Sequence, residues 1–295
     1  MKILVLGGSG FIGSHLVKNL LAKGHKVNTF DRTPNKSFAN GVVQIQGDIM
    51  DRQRLGEVIK SHDRAINLVG RLGSTETIDS PFESLQVNTV GALNFFEVMK
   101  KLKKPGAAIT MGAYSWPNTY SITKYAAERF GIMYNLYHET KIAIVRAMNV
   151  YGEGQHHKPI RKVVPNFVLP ALKNEDLLIY GDGEQLIDVI YVKDAVEILA
   201  RSLTDDHALY DTVIEAGTGK PITVNYLANL IIGLTKGKSK KKYVPMRKGE
   251  PLRSVTKANP QTLKPLGLSS KDFMPLKEGL NKTIAWYKKN LKDFV

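Results

Sequence analysis

The 295-residue chain contains no cysteine. This excludes disulfides and thiolate metal sites, and it is compatible with a reducing compartment. Acidic residues are also scarce, with 27 Asp and Glu against 42 Lys and Arg, a formal charge of +15. Long apolar runs are missing as well. The N-terminal MKILVLGGSGFIG breaks into glycines before it is long enough to span a membrane, and it lacks the flanks of a signal peptide. The expected location is therefore the cytoplasm, with no membrane partner. Internal repeats, heptads and low-complexity tracts are absent. The basic excess is spread along the chain, and its densest run, KGKSKKK at 236–242, has no aromatic within it. It reads as a solvated loop and not as a nucleic-acid surface. Its more useful consequence is a general attraction for phosphorylated small molecules.

What is present is an alternation of strand-like and helix-like segments. KILVLG, HKVNTFD, VVQIQGD, RAINLVG, GAAITMG and KIAIVRAMN read as six strands. Between them lie the helical patterns FIGSHLVKNLLAKG, RQRLGEVIKSH, FESLQVNTVGALNFFEVMKKLK and TKYAAERFGIMYNLYHET. Short β-rich runs alternating with helices imply crossover connections and a parallel sheet covered on both faces. After Val150 the alternation loosens, and a last core strand, DTVIEAG, returns near 211–217. The fold class is α/β: a doubly wound, parallel Rossmann-type sheet with a smaller C-terminal substrate-binding lobe.

GGSGFIG, at 7–13, lies directly between the first strand and the first helix and supplies Gly7, Gly10 and Gly13. Glycines there allow a tight turn and let the backbone approach a pyrophosphate, which the helix N-terminus stabilises through its free N–H groups. Asp31, at the end of the second strand, is placed to accept hydrogen bonds from ribose hydroxyls and to repel a 2′-phosphate, which favours NAD over NADP despite Arg32 beside it. Asp48, after the third strand, suits either an adenine contact or a helix N-cap.

Two Tyr–Lys pairs have helical i,i+4 spacing: Tyr120–Lys124 and Tyr137–Lys141. Tyr120 falls at the start of the helix after the fifth strand, where a dinucleotide fold brings residues to the nicotinamide. Tyr137 falls late in that helix, facing away from the strand ends. The order of elements selects Tyr120. An unperturbed tyrosine, with a pKa of about 10, is a poor base at neutral pH. Lowering it by about three units needs on the order of 4 kcal/mol, which Lys124 and a nicotinium charge can supply.

These motifs together resemble the NAD-dependent sugar-nucleotide epimerase/dehydratase family of extended short-chain dehydrogenases/reductases. The likeness rests on G-x-x-G-x-x-G at 7–13, Asp31, GDI at 47–49, NLVG at 67–70, VNTVGALN at 87–94, Tyr120–Lys124, MNVYG at 148–152, IYGDGEQ at 179–185 and IYVKDAV at 190–196. It covers nearly the whole chain. It implies an NAD-binding domain at 1–165, joined by the late strand, and a mainly nucleotide-sugar-binding lobe at 166–295. By position it assigns Gly7, Gly10, Phe11, Ile12, Gly13, Asp31, Arg32, Asp48, Ile49, Leu68, Val69, Gly70 and Asn88 to the cofactor, together with Tyr120 and Lys124. Asn149, Arg161, Arg247 and Glu250 fall to the substrate. The implied reaction is 4-epimerisation of a nucleotide sugar, with UDP the expected nucleotide: Tyr120 takes the C4 hydroxyl proton while the cofactor takes the hydride. A dehydratase, decarboxylase or reductase on the same scaffold, or a non-catalytic NAD-binding sensor, are the alternatives. The resemblance also implies a homodimer through the helices near 87–101 and 120–137, with Phe95, Phe96, Phe130 and Met133 as apolar candidates that suit an ordinary core equally well.

The chain departs from the family pattern twice. A Ser or Thr belongs at the end of the fifth strand, but ITMGAYSW puts Met111 or Gly112 there, leaving Thr110 or Ser115 as replacement; Thr110 is the catalytic candidate. The segment from there to Tyr120 is also short. An Arg two residues after Gln185 would clamp the diphosphate, but the position is Ile187, and Lys158, Arg161 or Lys162 is the expected substitute. No acid lies between Ile109 and Asn118, which argues against a 4,6-dehydratase of the usual kind. His156–His157 has no partner at ligand spacing, so no metal is expected.

Overall fold

A computed structural model describes residues 1–35, 38, 41–206 and 210–294. The first part of the chain runs β1 (Lys2–Leu6), α1 (Phe11–Ala22), β2 (Lys26–Asp31), β3 (Val43–Gln46), α2 (Arg52–Lys60), β4 (Arg64–Asn67), α3 (Pro81–Leu85), α4 (Gly91–Leu102), β5 (Gly106–Met111), α5 (Thr119–His138) and β6 (Ile142–Ala147). Then follow β7 (Asn149–Tyr151), α6 (Val163–Leu172), β8 (Leu177–Tyr180), β9 (Leu186–Ile187), β10 (Val189–Tyr191), α7 (Val192–Thr204) and β11 (Val213–Ala216). The last elements are β12 (Ile222–Thr223), α8 (Val224–Thr235), β13 (Lys241–Val244), β14 (Val255–Thr256) and α9 (Leu276–Lys289).

The seven strands expected of the main sheet pair in parallel in the order β11-β6-β5-β4-β1-β2-β3. The returning segment near 211–217 is β11, with Val213 opposite Ile144 and Ala216 opposite Ala147. Successive strand residues point to opposite faces, so a sheet covered on both sides needs apolar residues at nearly every position. In β1, Ile3 and Val5 enter one core with Leu16, Val17 and Leu20 of α1 and with α7. Leu4 and Leu6 enter the other, with residues of α2, α4 and α5. Each fully buried aliphatic side chain contributes roughly 1.5–3 kcal/mol.

Strand order reverses between β1 and β4, which opens a crevice at their C-terminal ends. The long helix expected over 82–103 is interrupted there. A π-helical turn, Gln86–Val90, separates α3 from α4 and carries Asn88. After β6 come short sheets: β10 with β7, β12-β9-β14, and β13 with β8. Among the described residues, no helix is long and apolar enough to cross a membrane.

Candidate active site

A continuous cleft of about 1550 Å³ starts at the crevice and extends to the elements after β6. At the C-terminal ends of β1 to β4 it is lined by Gly7, Gly10, Phe11, Ile12, Gly13, Asp31, Arg32, Asp48, Ile49, Leu68, Val69 and Gly70, the residues that the resemblance assigns to the cofactor. Gly7 has φ +78°, and an added Cβ would lie 3.0 Å from the Leu68 carbonyl carbon. A Cβ on Gly13 would lie 2.2 Å from the Gly7 oxygen, so only glycine lets the helix close on the loop. α1 has Gly10 at its N-cap, with no side-chain cap and no acid in its first turn, leaving its N–H groups for an anion. The Asp31 carboxylate accepts from Ser9 N–H at 3.1 Å, and burial pushes its pKa up to about 6. A bare helix end, a backbone-only cradle and a half-buried carboxylate fit the pyrophosphate and ribose of NAD.

Asp48 does not cap α2; Asp51 does, accepting from Arg54 N–H at 2.9 Å, while Asp48 Oδ1 accepts from Met50 N–H. Asn88 is buried one layer behind the wall and does not line the cleft. Its Oδ1 accepts from Arg71 N–H at 2.7 Å, and its Nδ2 donates to the Arg71 carbonyl and to Thr123 Oγ1, both at 3.0 Å. It fixes the β4 loop to α5.

Asn118 caps α5, accepting from Ser121 N–H at 2.9 Å, and so sets the first turn that carries Tyr120. Tyr120 and Lys124 both line the cleft. Lys124 is 5% exposed, and its Nζ donates to the Ile109 carbonyl at 2.8 Å. Burial pushes the Tyr120 phenol above its ordinary range and brings the Lys124 ammonium down to about 8. The competing pair is not a helical pair: α5 ends at His138, before Lys141, and Tyr137 is 78% exposed.

At the end of β5, Met111 and Gly112 line the cleft without a hydroxyl. A Cβ on Gly112 would lie 2.4 Å from Met148 Sδ, so the Met148 sulfur fills the space a side chain there would take. Thr110 lines the cleft, but its hydroxyl donates to Glu128 Oε2 at 2.8 Å. Ser115 is exposed and outside the lining. Glu128 in turn pairs with Arg146, which also pairs with Glu215 at 2.6 Å.

The far side of the cleft is built from separate segments. Arg247 donates through Nε to Thr75 Oγ1 at 3.2 Å and through Nη2 to Glu76 Oε1 at 3.0 Å, and its guanidinium lies over Tyr180 at 5.6 Å. Glu250 lies 3.5 Å from Arg247 Nη1 and accepts from Ser74 Oγ. Arg161 donates to the Tyr180 hydroxyl, and burial holds the Lys162 ammonium below its ordinary range. Asn149 Nδ2 donates to the Asp188 carbonyl and to Thr256 Oγ1, both at 3.1 Å. Ile187, where a clamping Arg was expected, lines the same wall. His157 packs edge-on against Phe294 at 5.4 Å.

A model of the NAD-dependent epimerase/dehydratase family matches residues 3–217. The chain belongs to that family. Its cofactor is NAD, in agreement with the cradle at Gly7, Gly13 and Asp31. A Methanocaldococcus jannaschii protein provisionally named UDP-glucose 4-epimerase is 31% identical over 98% of this chain and 99% of its own length. The UDP-N-acetyl-alpha-D-glucosaminuronate decarboxylase of Bacillus cytotoxicus is 28% identical over 99% of each. The structure of the Thermotoga maritima UDP-glucose 4-epimerase with UDP-glucose aligns with a TM-score of 0.88 at 26% identity, covering 99% of this chain and 100% of that one. The family is one of sugar-nucleotide enzymes, and these relatives carry more than one reaction.

Sequence reasoning missed Ser74, Thr75 and Glu76, which sit in a segment with no local pattern, and gave no role to Tyr180 within IYGDGEQ. Glu128 was legible in principle. It stands one and two turns beyond Lys124 and Tyr120 on the same helix face, where an acid aimed inward needs a cationic partner.

Proposed function

We propose that this protein is an NAD-dependent nucleotide-sugar 4-epimerase acting on a UDP-sugar by transient oxidation at C4. What supports this reading is that one cleft is lined by the glycine loop and Asp31, by Tyr120 with Lys124, and by Arg161, Arg247 and Glu250. In this reading residues 1–165 with β11 carry NAD, and residues 166–295 mainly carry the nucleotide sugar. Arg161 and Arg247 hold the diphosphate, Asn149 braces that wall through Asp188 and Thr256, and Glu250 accepts from the nucleotide's hydroxyls.

When bound, NAD supplies a two-electron acceptor that returns the same hydride. Tyr120, as phenolate, accepts the C4 hydroxyl proton and gives it back to the 4-keto sugar once that sugar has presented its other face. Burial alone opposes the phenolate, so ionisation needs close positive charge. Lys124 is the chain's own source of it. Thr110 and the Glu128–Arg146 pair behind it keep the end of β5 in place for the sugar, and Met148 takes the room of the usual hydroxyl. The protein works in the cytoplasm as a homodimer. Phe95 and Phe96, fully buried within one chain, drop out of the expected interface. Ile122, Phe130 and Tyr137 remain exposed along α5 and form its apolar stripe.

The lack of a hydroxyl at the end of the fifth strand, with that of Thr110 donated to Glu128, supports a second reading, a non-catalytic NAD-binding sensor. A panel of nucleotide sugars incubated with the purified protein in deuterated water, read by NMR, separates them. The epimerase inverts C4 without taking up solvent deuterium. Deuterium at C5 or C6 would move the assignment to a dehydratase, and no turnover with any sugar, despite bound NAD, to the sensor.

A further inference from the structure

Residues 74–79, in the loop after β4, are joined to residues 247–250, after β13, by a dense set of polar contacts. Ser74 Oγ donates to Glu250, Thr75 Oγ1 donates to the Lys248 carbonyl at 2.9 Å, and Lys248 pairs with Asp79 at 3.2 Å. Gly249, with φ +82°, sits so close to the other segment that an added Cβ would lie 2.6 Å from Ile78 Cδ1. At the centre of this junction is Glu76. Its Oε1 accepts from Arg247 Nη2 at 3.0 Å and from the Arg161 N–H at 3.2 Å. Its Oε2 is buried beside Gly73, with no hydrogen-bond partner among the described residues.

Glu76 does not line the cleft, whereas Arg247 does, with its side chain 13% exposed. A guanidinium carries five N–H donors in a rigid fork. Thr75 holds Nε and Glu76 holds Nη2, so the loop fixes the plane of the fork; the donors a ligand can take are those that remain on Nη2 and on Nη1, 3.5 Å from Glu250. Bulk charge contributes less here, since Lys162 and Arg247 lie near the carboxylates of Glu76 and Glu250. Recognition of an anion then depends on where the donors point. Taking a carboxylate out of water is costly unless it is paired, and its two donors, the Arg247 guanidinium and the Arg161 N–H, both belong to the anion-binding wall.

We propose that Glu76 is a positioning residue that aims Arg247 at the diphosphate of the nucleotide sugar, an inference that rests on the substrate class proposed above. Glu76 sets affinity for the nucleotide and leaves the cofactor site and the Tyr120 chemistry alone. UDP titrated calorimetrically into NAD-loaded full-length protein tests this in a double-mutant cycle. Glu76→Ala should weaken UDP binding about tenfold, the scale of one charge-assisted hydrogen bond. Glu76→Gln, which keeps an acceptor but not the charge, should weaken it less. NAD content should not change in either. In the Arg247→Ala background the Glu76 substitutions should cost nothing further, because the group they act through is gone. The same cycle run with Glu76→Gln covers a truncation that fails to fold. Equal losses in both backgrounds, or unchanged UDP affinity in both Glu76 variants, overturn the proposal. A parent protein that holds NAD but binds no UDP overturns the nucleotide-sugar reading, and this proposal with it.

Discussion

The two sides of the cleft are built on different plans. The NAD side is made largely of backbone: its glycine loop, bare helix end and one carboxylate fall within the first 31 residues, and the ends of β3 and β4 complete it. The opposite side is made of long side chains from residues 74–76, 161–162, 180 and 247–250, held by one another. The first needs a local conformation that few residues permit. The second needs the whole chain folded before any of its groups has a partner. The NAD side should therefore fail through single steric changes and the other side through loss of individual charges, while the chemistry between them depends on one phenol.

The largest effect is expected at that phenol. Tyr120→Phe should lower kcat about 10³-fold, within the range of a lost general acid–base, while NAD content stays at the parent level. Loss of NAD in this variant would mean that Tyr120 builds the site and does not act in it. Next comes Gly13→Ala, whose methyl must displace the Gly7 carbonyl. NAD affinity, measured by fluorescence titration of the apo-protein, should fall about 100-fold, an effect of overpacking with little give. An unchanged value would break the claim that this side is steric.

On the opposite side, Arg161→Ala and Lys162→Ala should each raise KM for the nucleotide sugar about tenfold with kcat within twofold, as for loss of one charge-assisted contact. If both leave KM unchanged, neither replaces the Arg missing at Ile187. The smallest effect is a pH dependence on the NAD side. Asp31 has a pKa of about 6, raised by burial. Ribose hydroxyls donate to the ionised carboxylate, so NAD favours the deprotonated form. Affinity should be flat above that pKa and fall as pH drops through it, about fourfold between pH 7 and 5.5 for a single group. Asp31→Asn should be weaker at pH 7 and show no such slope.

Legibility in the sequence follows the same division. The seven sheet strands, the glycine loop and Asp31 were readable because apolar runs, glycine spacing and strand ends are local signals. Tyr120 was separated from Tyr137 by its place after β5, and the helix end at His138 explains why Lys141 never joins a second pair. The π-turn at Asn88 was not readable, since nothing in VNTVG marks an extra residue in a helical turn. Met148 filling the space over Gly112 brings together two strand ends that are neighbours only in the sheet. Glu76 was invisible for a similar reason: its partner Arg247 lies 171 positions away. Phe95 and Phe96 were ambiguous between interface and core, and burial within one chain decides for the core.

The central claim is that Tyr120 and Lys124 serve a reversible oxidation at C4 in a cleft that keeps the hydride. A UDP-sugar deuterated at C4, incubated in ordinary water with the NAD-loaded protein and followed by NMR, tests it directly. The account requires C4 to invert with the deuterium still on it, in the parent protein and not in Tyr120→Phe. Deuterium lost to solvent, or no inversion of any UDP-sugar while NAD remains bound, would contradict it.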